Sequence, residues 1–163
     1  MNYIDTIKSI TPLSLDDIIK TAKQHVPAQY RQTPWNYPGL AHGTAILQDE
    51  EQLCCYLASY GEMHQGKLAC AFTKFPYLNM DKNIEIIDWG CGQGTASACL
   101  LDFLKSKRIT PNIKQFCMVE PSSEAVKRAT QVIECFNSNY TINSITKDFD
   151  HLTPEDFKTS DVK

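Results

Sequence analysis

The sequence predicts an α/β fold in which about three parallel strands follow a helical N-terminal region. Three runs rich in β-branched and apolar residues, at 84–88, 115–120 and 140–145, alternate with stretches whose apolar residues recur at helical spacing. Strands that alternate with helices pair in parallel, and the helices pack on the faces of the sheet. We therefore divide the chain into a helical region over residues 1–80 and a sheet-containing region over residues 81–163.

The composition limits the classes of function that the chain can have. Its 163 residues, 42% hydrophobic and 21% charged, are ordinary for one globular domain or slightly more. A net charge of −3 argues against general nucleic-acid affinity, because phosphate binding uses clustered Lys and Arg. The N-terminus lacks a basic segment followed by an apolar one, and no apolar run approaches the ~20 residues that span a bilayer. We therefore expect a cytoplasmic protein that does not enter membranes.

The cysteines and histidines indicate neither disulfides nor a metal site. The number of cysteines, seven, is odd, and they lie within predicted helices and strands. No two cysteines have C-x-x-C spacing, and the four histidines are scattered along the chain. We expect reduced and mostly buried thiols, and no metal ligands.

The first part of the chain predicts one helix and then a loop. Ser14 is expected to cap a helix whose first turn carries Asp16 and Asp17, and Pro27 ends it. The segment 27–40 is rich in proline and aromatic residues and cannot form a long regular element. Its aromatic rings either face a ligand or bury themselves to fix the loop, and the sequence favours neither alternative.

A second helix is predicted to begin near Asp49 and to run to about Lys74. Asp49 and Gln52 have the spacing of a capping box, and apolar residues then recur at helical spacing. Gly61 and Gly66 interrupt this pattern, and each costs about 1 kcal/mol relative to alanine in a helix. We therefore expect a bend or a close approach of another element at these glycines.

The run at 84–88 predicts the first strand. Ile84, Ile86 and Ile87 are β-branched, which fits a strand buried on both faces. Asp88 ends the run, and three alternating glycines follow: Gly90, Gly92, Gly94. Glycine tolerates backbone angles and close approaches that other residues cannot adopt. Because a helical pattern starts directly afterwards, the glycine turn is expected at a helix N-terminus, where unpaired N–H groups can hold an anion.

The spacing of the glycines separates two kinds of nucleotide ligand. A dinucleotide-binding fingerprint needs a third glycine at the position of Thr95. The threonine there makes a dinucleotide the less favoured ligand. An acid followed by alternating glycines, as in Asp88, Gly90, Gly92 and Gly94, resembles the first motif of class I S-adenosylmethionine-dependent methyltransferases. This resemblance implies a Rossmann-like, doubly wound parallel sheet.

The resemblance also assigns parts of the cofactor to the turn. The glycines would pass under the methionine part of S-adenosylmethionine, and Asp88 would help to organise its amino end. Cys91 lies inside the turn and is included in the predicted cofactor site. We interpret it as a small neutral residue rather than a nucleophile, although a helix N-terminus can lower the pKa of a thiol.

Two further acids complete the predicted cofactor site. Glu120 ends the second strand, where a carboxylate can accept hydrogen bonds from both ribose hydroxyls. Asp148 follows the third strand and would accept the adenine amino group, with Asp150 as a competitor. Pro121 and Phe149, which follow these acids, are included in the site.

The helix before the first strand is a further candidate wall of the site. In many enzymes of the family such a helix covers the cofactor pocket, which would bring Tyr60, His64 and Lys67 near one face of it. The alternative is that these residues lie at the edge of the core and on the surface, as most residues at helical spacing do.

The resemblance covers about two fifths of the chain and implies an incomplete sheet. It extends over roughly residues 83–150, whereas a complete sheet of the family adds more strands beside the first. We therefore expect a truncated chain, or the N-terminal part of a longer enzyme, that carries much of the cofactor half. The first strand would be left as an apolar edge, so self-association, most simply as a two-fold dimer, is expected.

The resulting expectation is a methyltransferase that transfers a methyl group from S-adenosylmethionine. The acceptor is open: a small molecule, a protein and a modified RNA are all compatible with the sequence, and no catalytic residue can be assigned. Two alternatives stay open, a non-catalytic module that binds S-adenosylmethionine or a nucleotide, and half of an NAD-dependent oxidoreductase domain.

Overall fold

The computed structural model describes residues 2–74 and 83–157. The N-terminal part contains three α-helices, α1 (Tyr3–Lys8), α2 (Leu15–His25) and α3 (Glu50–Thr73). The start of α2 is the predicted one, because Ser14 caps it and exchanges hydrogen bonds with Asp17. The short helix α1 was not predicted from the sequence.

The segment between α2 and α3 contains short 3₁₀ turns at Ala28–Tyr30, Pro34–Asn36 and Ala41–Gly43, and no long regular element, as expected. The rings of Tyr30 and Tyr37 meet edge to face, with 5.0 Å between their centroids. The Tyr37 hydroxyl donates to Glu51 at 2.8 Å, whereas Trp35 is exposed. The contacts of Tyr30 and Tyr37 agree with rings that fix the loop, and a ligand at Trp35 stays a prediction.

Helix α3 begins and ends where the sequence indicated. Asp49 caps it by accepting from the backbone N–H of Gln52, but the Gln52 side chain accepts from Gln48 instead of completing the capping box. The helix continues through both of its glycines without a break. At Gly61 a Cβ would lie 2.9 Å from Ile19, so the expected close approach occurs there, whereas Gly66 is exposed.

The second part of the chain has a Rossmann-like α/β architecture. Strands β1 (Ile84–Trp89), β2 (Ile113–Val119) and β3 (Thr141–Ile145) form a parallel sheet in the order β1-β2-β3. Helix α4 (Thr95–Ser106) connects β1 to β2, and α5 (Ser123–Phe136) connects β2 to β3. The predicted α/β fold is therefore confirmed, and β1 is an edge strand of the described sheet.

Helices α4 and α5 cover one face of the sheet, which we call the covered face. Phe116 and Met118 of β2 are completely buried there, with Ile86 and Ile142 beside them. The N-terminal helices pack on the outer side of α4 and α5, so that their apolar residues share one cluster with Ala98, Cys99 and Val132. The sheet, α4 with α5, and the N-terminal helices thus form successive layers.

The opposite face of the sheet, which we call the open face, is much less covered. Ile87 is 45% exposed and Trp89 is 52% exposed, so the prediction that the first strand is buried on both faces is wrong. The reason is that α4 and α5 both lie on the covered face. Leu152 and Phe157, in or next to the 3₁₀ turns Phe149–His151 and Pro154–Phe157, cover β2 and β3. The rings of Phe149 and Phe157 also contact Trp89 at the end of β1, with 6.0 Å and 5.3 Å between centroids, and leave it partly exposed.

The boundary predicted between residues 80 and 81 lies outside the described residues, and the division into two regions stays a prediction. None of the helices in the described ranges is long and apolar enough to cross a membrane.

Candidate functional site

The glycine turn joins β1 to α4 in a conformation that few other residues adopt. Gly90, Gly92 and Gly94 have positive φ angles of 62°, 51° and 76°, all in the left-handed region. The turn is closed by the Gly94 N–H, which donates to the Cys91 carbonyl at 2.8 Å. The alternating glycines are therefore required by the backbone of this turn.

The three glycines differ in what surrounds them. A Cβ added at Gly92 would meet no atom of the described residues within 4 Å beyond its chain neighbours, and one at Gly90 would meet only Phe149, at 3.6 Å. At Gly94 it would lie 3.1 Å from the Cβ of Ala129 in α5. Gly94 therefore lets α4 approach α5 closely, whereas Gly90 and Gly92 border open space.

That open space consists of two pockets on either side of the turn. The Glu120 pocket, of about 300 Å³, is lined by Leu47, Glu120, Pro121 and Phe149 among others. The Asp88 pocket, of about 340 Å³, is lined by Asp88, Cys91, His64, Lys67 and Trp89 among others. Both pockets share Tyr56, Gly90, Gly92 and Gln93 as lining residues, and Gly94 lines neither. Together they reach the size of a small-molecule site.

Glu120 connects the end of β2 to the glycine turn. One carboxylate oxygen accepts the Gly92 N–H at 3.0 Å, and the other accepts the Ser122 N–H at 3.0 Å. A carboxylate has about four acceptor positions, so that about two are left for donors from a ligand. Glu120 is half-buried and lines its pocket, so a ligand in the pocket can reach the free acceptor positions.

Asp88 lies on the other side of the turn and is held by α4. Its Oδ2 accepts both the backbone N–H of Ser97, at 3.2 Å, and the Ser97 hydroxyl, at 2.6 Å. Burial raises the pKa of Asp88, and the two hydrogen bonds from Ser97 oppose this shift. The first turn of α4 favours the negative charge, because unpaired N–H groups and the helix dipole point toward it.

Cys91 is buried in the turn and its thiol stays protonated. Burial raises its pKa, and the nearby carboxylates of Asp88 and Glu120 raise it further. The cysteines of the chain are all free, and five of them are buried. A nucleophilic thiol would need the opposite shift, so the geometry agrees with the interpretation of Cys91 as a neutral residue.

The residues after β3 are divided between the pocket and their own turn. Phe149 is 59% exposed and lines the Glu120 pocket. The carboxylate of Asp148 instead accepts from His151, at 3.2 Å from the backbone N and 2.5 Å from Nδ1, and these bonds lower its pKa. Asp148 does not line the pocket, and its assignment to adenine stays a prediction.

Helix α3 supplies one wall of the site. His64 and Lys67 line the Asp88 pocket, whereas Tyr60 packs on Gly43 and on the ring of Tyr56. Tyr56 lines both pockets, and its hydroxyl lies 3.4 Å from Nε2 of His64. Burial lowers the pKa of His64, and Lys67 lowers it further. Sequence reasoning missed Tyr56, although its spacing from Tyr60 and His64 already placed it on the same helix face.

Two buried polar residues, one in the turn and one on α5, were also missed. Gln93 and Arg128 hydrogen-bond to each other at 2.8 Å although they are far apart in sequence. No local pattern signals such a pair.

No protein-family model, curated protein or solved structure matches the chain at a significant level. Within the described ranges, no group of three or more His, Cys, Asp or Glu side chains is arranged to hold a metal ion.

Proposed function

We propose that the chain binds S-adenosylmethionine across the glycine turn and is the cofactor-binding part of a methyltransferase. The observation that supports this proposal most is the placement of two carboxylates, Asp88 and Glu120, in adjoining pockets on the two sides of Gly92. A ligand that fills both pockets has to offer hydrogen-bond donors at two separated positions. S-adenosylmethionine does so, with an ammonium group in its methionine part and two hydroxyls on its ribose.

In this arrangement Glu120 receives the ribose. Its remaining acceptor positions equal the number of ribose hydroxyls, and its orientation is already set by Gly92 and Ser122. Leu47, Pro121 and Phe149 provide an apolar wall in the same pocket, against which the adenine ring can stack. Asp88 receives the ammonium group in the other pocket.

The same geometry disfavours NAD. A dinucleotide places its pyrophosphate against the N–H groups of the glycine turn. Here the Gly92 N–H already donates to the Glu120 carboxylate, so a pyrophosphate would meet a negative charge at this position. A ligand with a sulfonium and an ammonium group is attracted by the two carboxylates that would repel a pyrophosphate.

The proposed reaction is displacement at the sulfonium methyl group. An acceptor atom forms a bond to the methyl carbon, the carbon–sulfur bond breaks, and its electron pair returns to sulfur as the thioether of S-adenosylhomocysteine. Much of the rate of such a step comes from alignment of the two reactants. Trp89 lines the Asp88 pocket and is 52% exposed, so an acceptor in this pocket can contact its ring.

Calorimetry with S-adenosylmethionine, S-adenosylhomocysteine and NAD tests this proposal. We expect both sulfur ligands to bind at least about tenfold more tightly than NAD, which is ~1.4 kcal/mol in binding free energy. Tighter binding of NAD would overturn the assignment.

Glu120→Ala tests the ribose contact. We expect the affinity for S-adenosylhomocysteine to fall by about 1–3 kcal/mol, because a buried charge-assisted pair of hydrogen bonds is lost. Glu124→Ala is the matched control: Glu124 is exposed in the first turn of α5, and its replacement removes the same charge nearby. Equal affinity of the Glu120→Ala protein and the wild-type protein would contradict the contact, provided that both unfold at similar denaturant concentrations.

A further inference from the structure

Arg128 is a charged residue in the interior of the protein. It lies on α5 and is only 2% exposed. Its Nη2 forms a salt bridge with Oε2 of Glu50 at 2.5 Å, and its Nη1 donates to Oε1 of Gln93 at 2.8 Å. The guanidinium carbon lies 4.1 Å from the centre of the Tyr3 ring. Arg128 therefore contacts α1, α3 and the glycine turn at once.

Gln93 is the residue between Gly92 and Gly94, and it is 5% exposed. Its Oε1 accepts from Nη1 of Arg128 at 2.8 Å, and its Nε2 donates to the Leu53 carbonyl of α3 at 2.8 Å. Because arginine only donates and a carbonyl only accepts, the amide has a single satisfactory orientation. The side chain is thus held at both ends.

Holding this side chain restricts the two glycines beside it. Glycine has more backbone freedom than any other residue, and a turn with alternating glycines loses much of that freedom when it binds a ligand. A turn that is already ordered binds more tightly, because less conformational entropy is lost on binding. The salt bridge of Arg128 to Glu50, whose side chain is 56% exposed, is partly solvated and adds little net stability, whereas the bond of Arg128 to Gln93 is buried and fixes geometry.

We infer that Arg128 is a positioning residue for the glycine turn and acts through Gln93. It keeps Gly92 open toward both pockets and its N–H aimed at Glu120. The effect on the turn is independent of the ligand, whereas the effect on affinity rests on the proposed binding of S-adenosylmethionine. The same contacts couple the turn to the N-terminal helices through Tyr3, Glu50 and Leu53.

The test compares Gln93→Met with the wild-type protein. Methionine keeps the length and apolar volume of the side chain but cannot form either hydrogen bond. We expect the amide signals of Gly90, Gly92 and Gly94 to shift or broaden in the ¹⁵N–¹H spectrum of the ligand-free protein. The affinity for S-adenosylhomocysteine is expected to fall about tenfold, as for the loss of one or two buried hydrogen bonds.

Three further single variants and one double variant separate positioning from a general loss of stability. Gln93→Glu keeps an acceptor for Arg128 but loses the donor to the Leu53 carbonyl, so its glycine signals should lie between those of the wild-type protein and those of Gln93→Met. Glu50→Gln removes the charge on the far side of Arg128 and leaves its bond to Gln93, so the glycine signals should change little. Arg128→Met should reproduce the turn signals of Gln93→Met, and the double variant should lose no further affinity.

Each outcome decides one part of the inference. Unchanged glycine signals in a folded Gln93→Met protein overturn the positioning role, and so does an additive loss of affinity in the double variant. Glycine signals in Gln93→Glu that are displaced as far as in Gln93→Met also overturn it, because the acceptor for Arg128 is retained there. Changed glycine signals in a protein whose wild type binds neither sulfur ligand support the positioning role and overturn the proposed function.

Discussion

The two faces of the sheet are built from the same strands but have different surroundings. Ile86 and Ile87 are neighbours of the same residue type, yet Ile86 packs under the helices and Ile87 is 45% exposed. On β2, Phe116 and Met118 are completely buried on the covered face. The comparison shows that burial is decided by which elements pack on a face, and not by how apolar its residues are.

The glycine turn repeats this contrast at a smaller scale. Gly94 faces α5 on the covered side, where a Cβ would meet Ala129, and Gly92 faces the pockets, where it would meet no described neighbour. Both glycines have positive φ angles, so both are required by the backbone. A substitution at one therefore affects packing, and at the other it affects the space available to a ligand.

The largest expected effect is on the covered face. Phe116→Ala should lower the free energy of unfolding by about 3–5 kcal/mol, because it leaves a cavity under α4 and α5. Trp89→Ala removes a larger side chain from the open face, where Trp89 is 52% exposed and contacts Phe149 and Phe157, and should cost less, about 1–2 kcal/mol. Urea unfolding of both proteins measures the difference, and equal losses would mean that the open face is covered in solution.

The second prediction concerns the turn. Gly92→Val should reduce affinity for S-adenosylhomocysteine about 100-fold or more, ~2.7 kcal/mol, because its side chain occupies ligand space. Most of the helical circular dichroism should remain. Gly92→Ala and Gly94→Ala share the cost of a positive φ, about 1–2 kcal/mol, so the greater instability expected of Gly94→Ala isolates the contact with Ala129. A Gly92→Val protein that unfolds globally would show that this glycine chiefly serves folding.

The third prediction is that stability and ligand affinity depend on pH through Asp88. Burial raises the pKa of Asp88 above its ordinary value of 3.8, so acidification neutralises this carboxylate earlier than that of an exposed aspartate. Protonation of Asp88 stabilises the folded state at low pH. This contribution is lost as the pH rises through the pKa that Asp88 has in the folded protein. Affinity for S-adenosylmethionine should change in the opposite direction, because its ammonium group needs the charged carboxylate.

Calorimetry over a pH series measures this effect, which should reach about 1–3 kcal/mol at the acid end. Asp88→Asn should bind weakly and without this acid dependence. Since His64 and Lys67 line the same pocket, His64→Gln serves as the control for a second titrating group. An acid loss of affinity that persists in Asp88→Asn and disappears in His64→Gln would transfer the effect to His64.

The smallest expected effect concerns association through the open face. We expect the chain to self-associate there, because β1 is an edge strand of the described sheet and carries Ile87 and Trp89 on its exposed side. Ile87→Lys should raise the dissociation constant of the dimer about tenfold, as a charge on a sheet edge disfavours pairing. Ile46→Lys is the control, since Ile46 is also exposed but lies in a loop. Light scattering that shows a monomer at every concentration would contradict this expectation.

Several features of the fold could be predicted from short stretches of sequence. The cap at Ser14, the start of α3 at Asp49, the order of strands and helices, and the glycine turn all depend on signals within a few residues. Helix α1 was missed because a helix of six residues is not stable by itself. It forms because Tyr3 and Ile7 are buried against other helices. The sequence around these residues does not predict that burial.

The sequence by itself determined where the chain needs glycine and where the strands carry acids at their ends. Backbone geometry allows few residues at a positive φ, so the spacing of Gly90, Gly92 and Gly94 predicts a tight turn from the sequence alone. Only the tertiary structure decided which of them borders a pocket, which of Ile86 and Ile87 is buried, and that Gln93 meets Arg128. Those outcomes depend on packing between elements that are distant in sequence, and local residue preferences do not determine such packing.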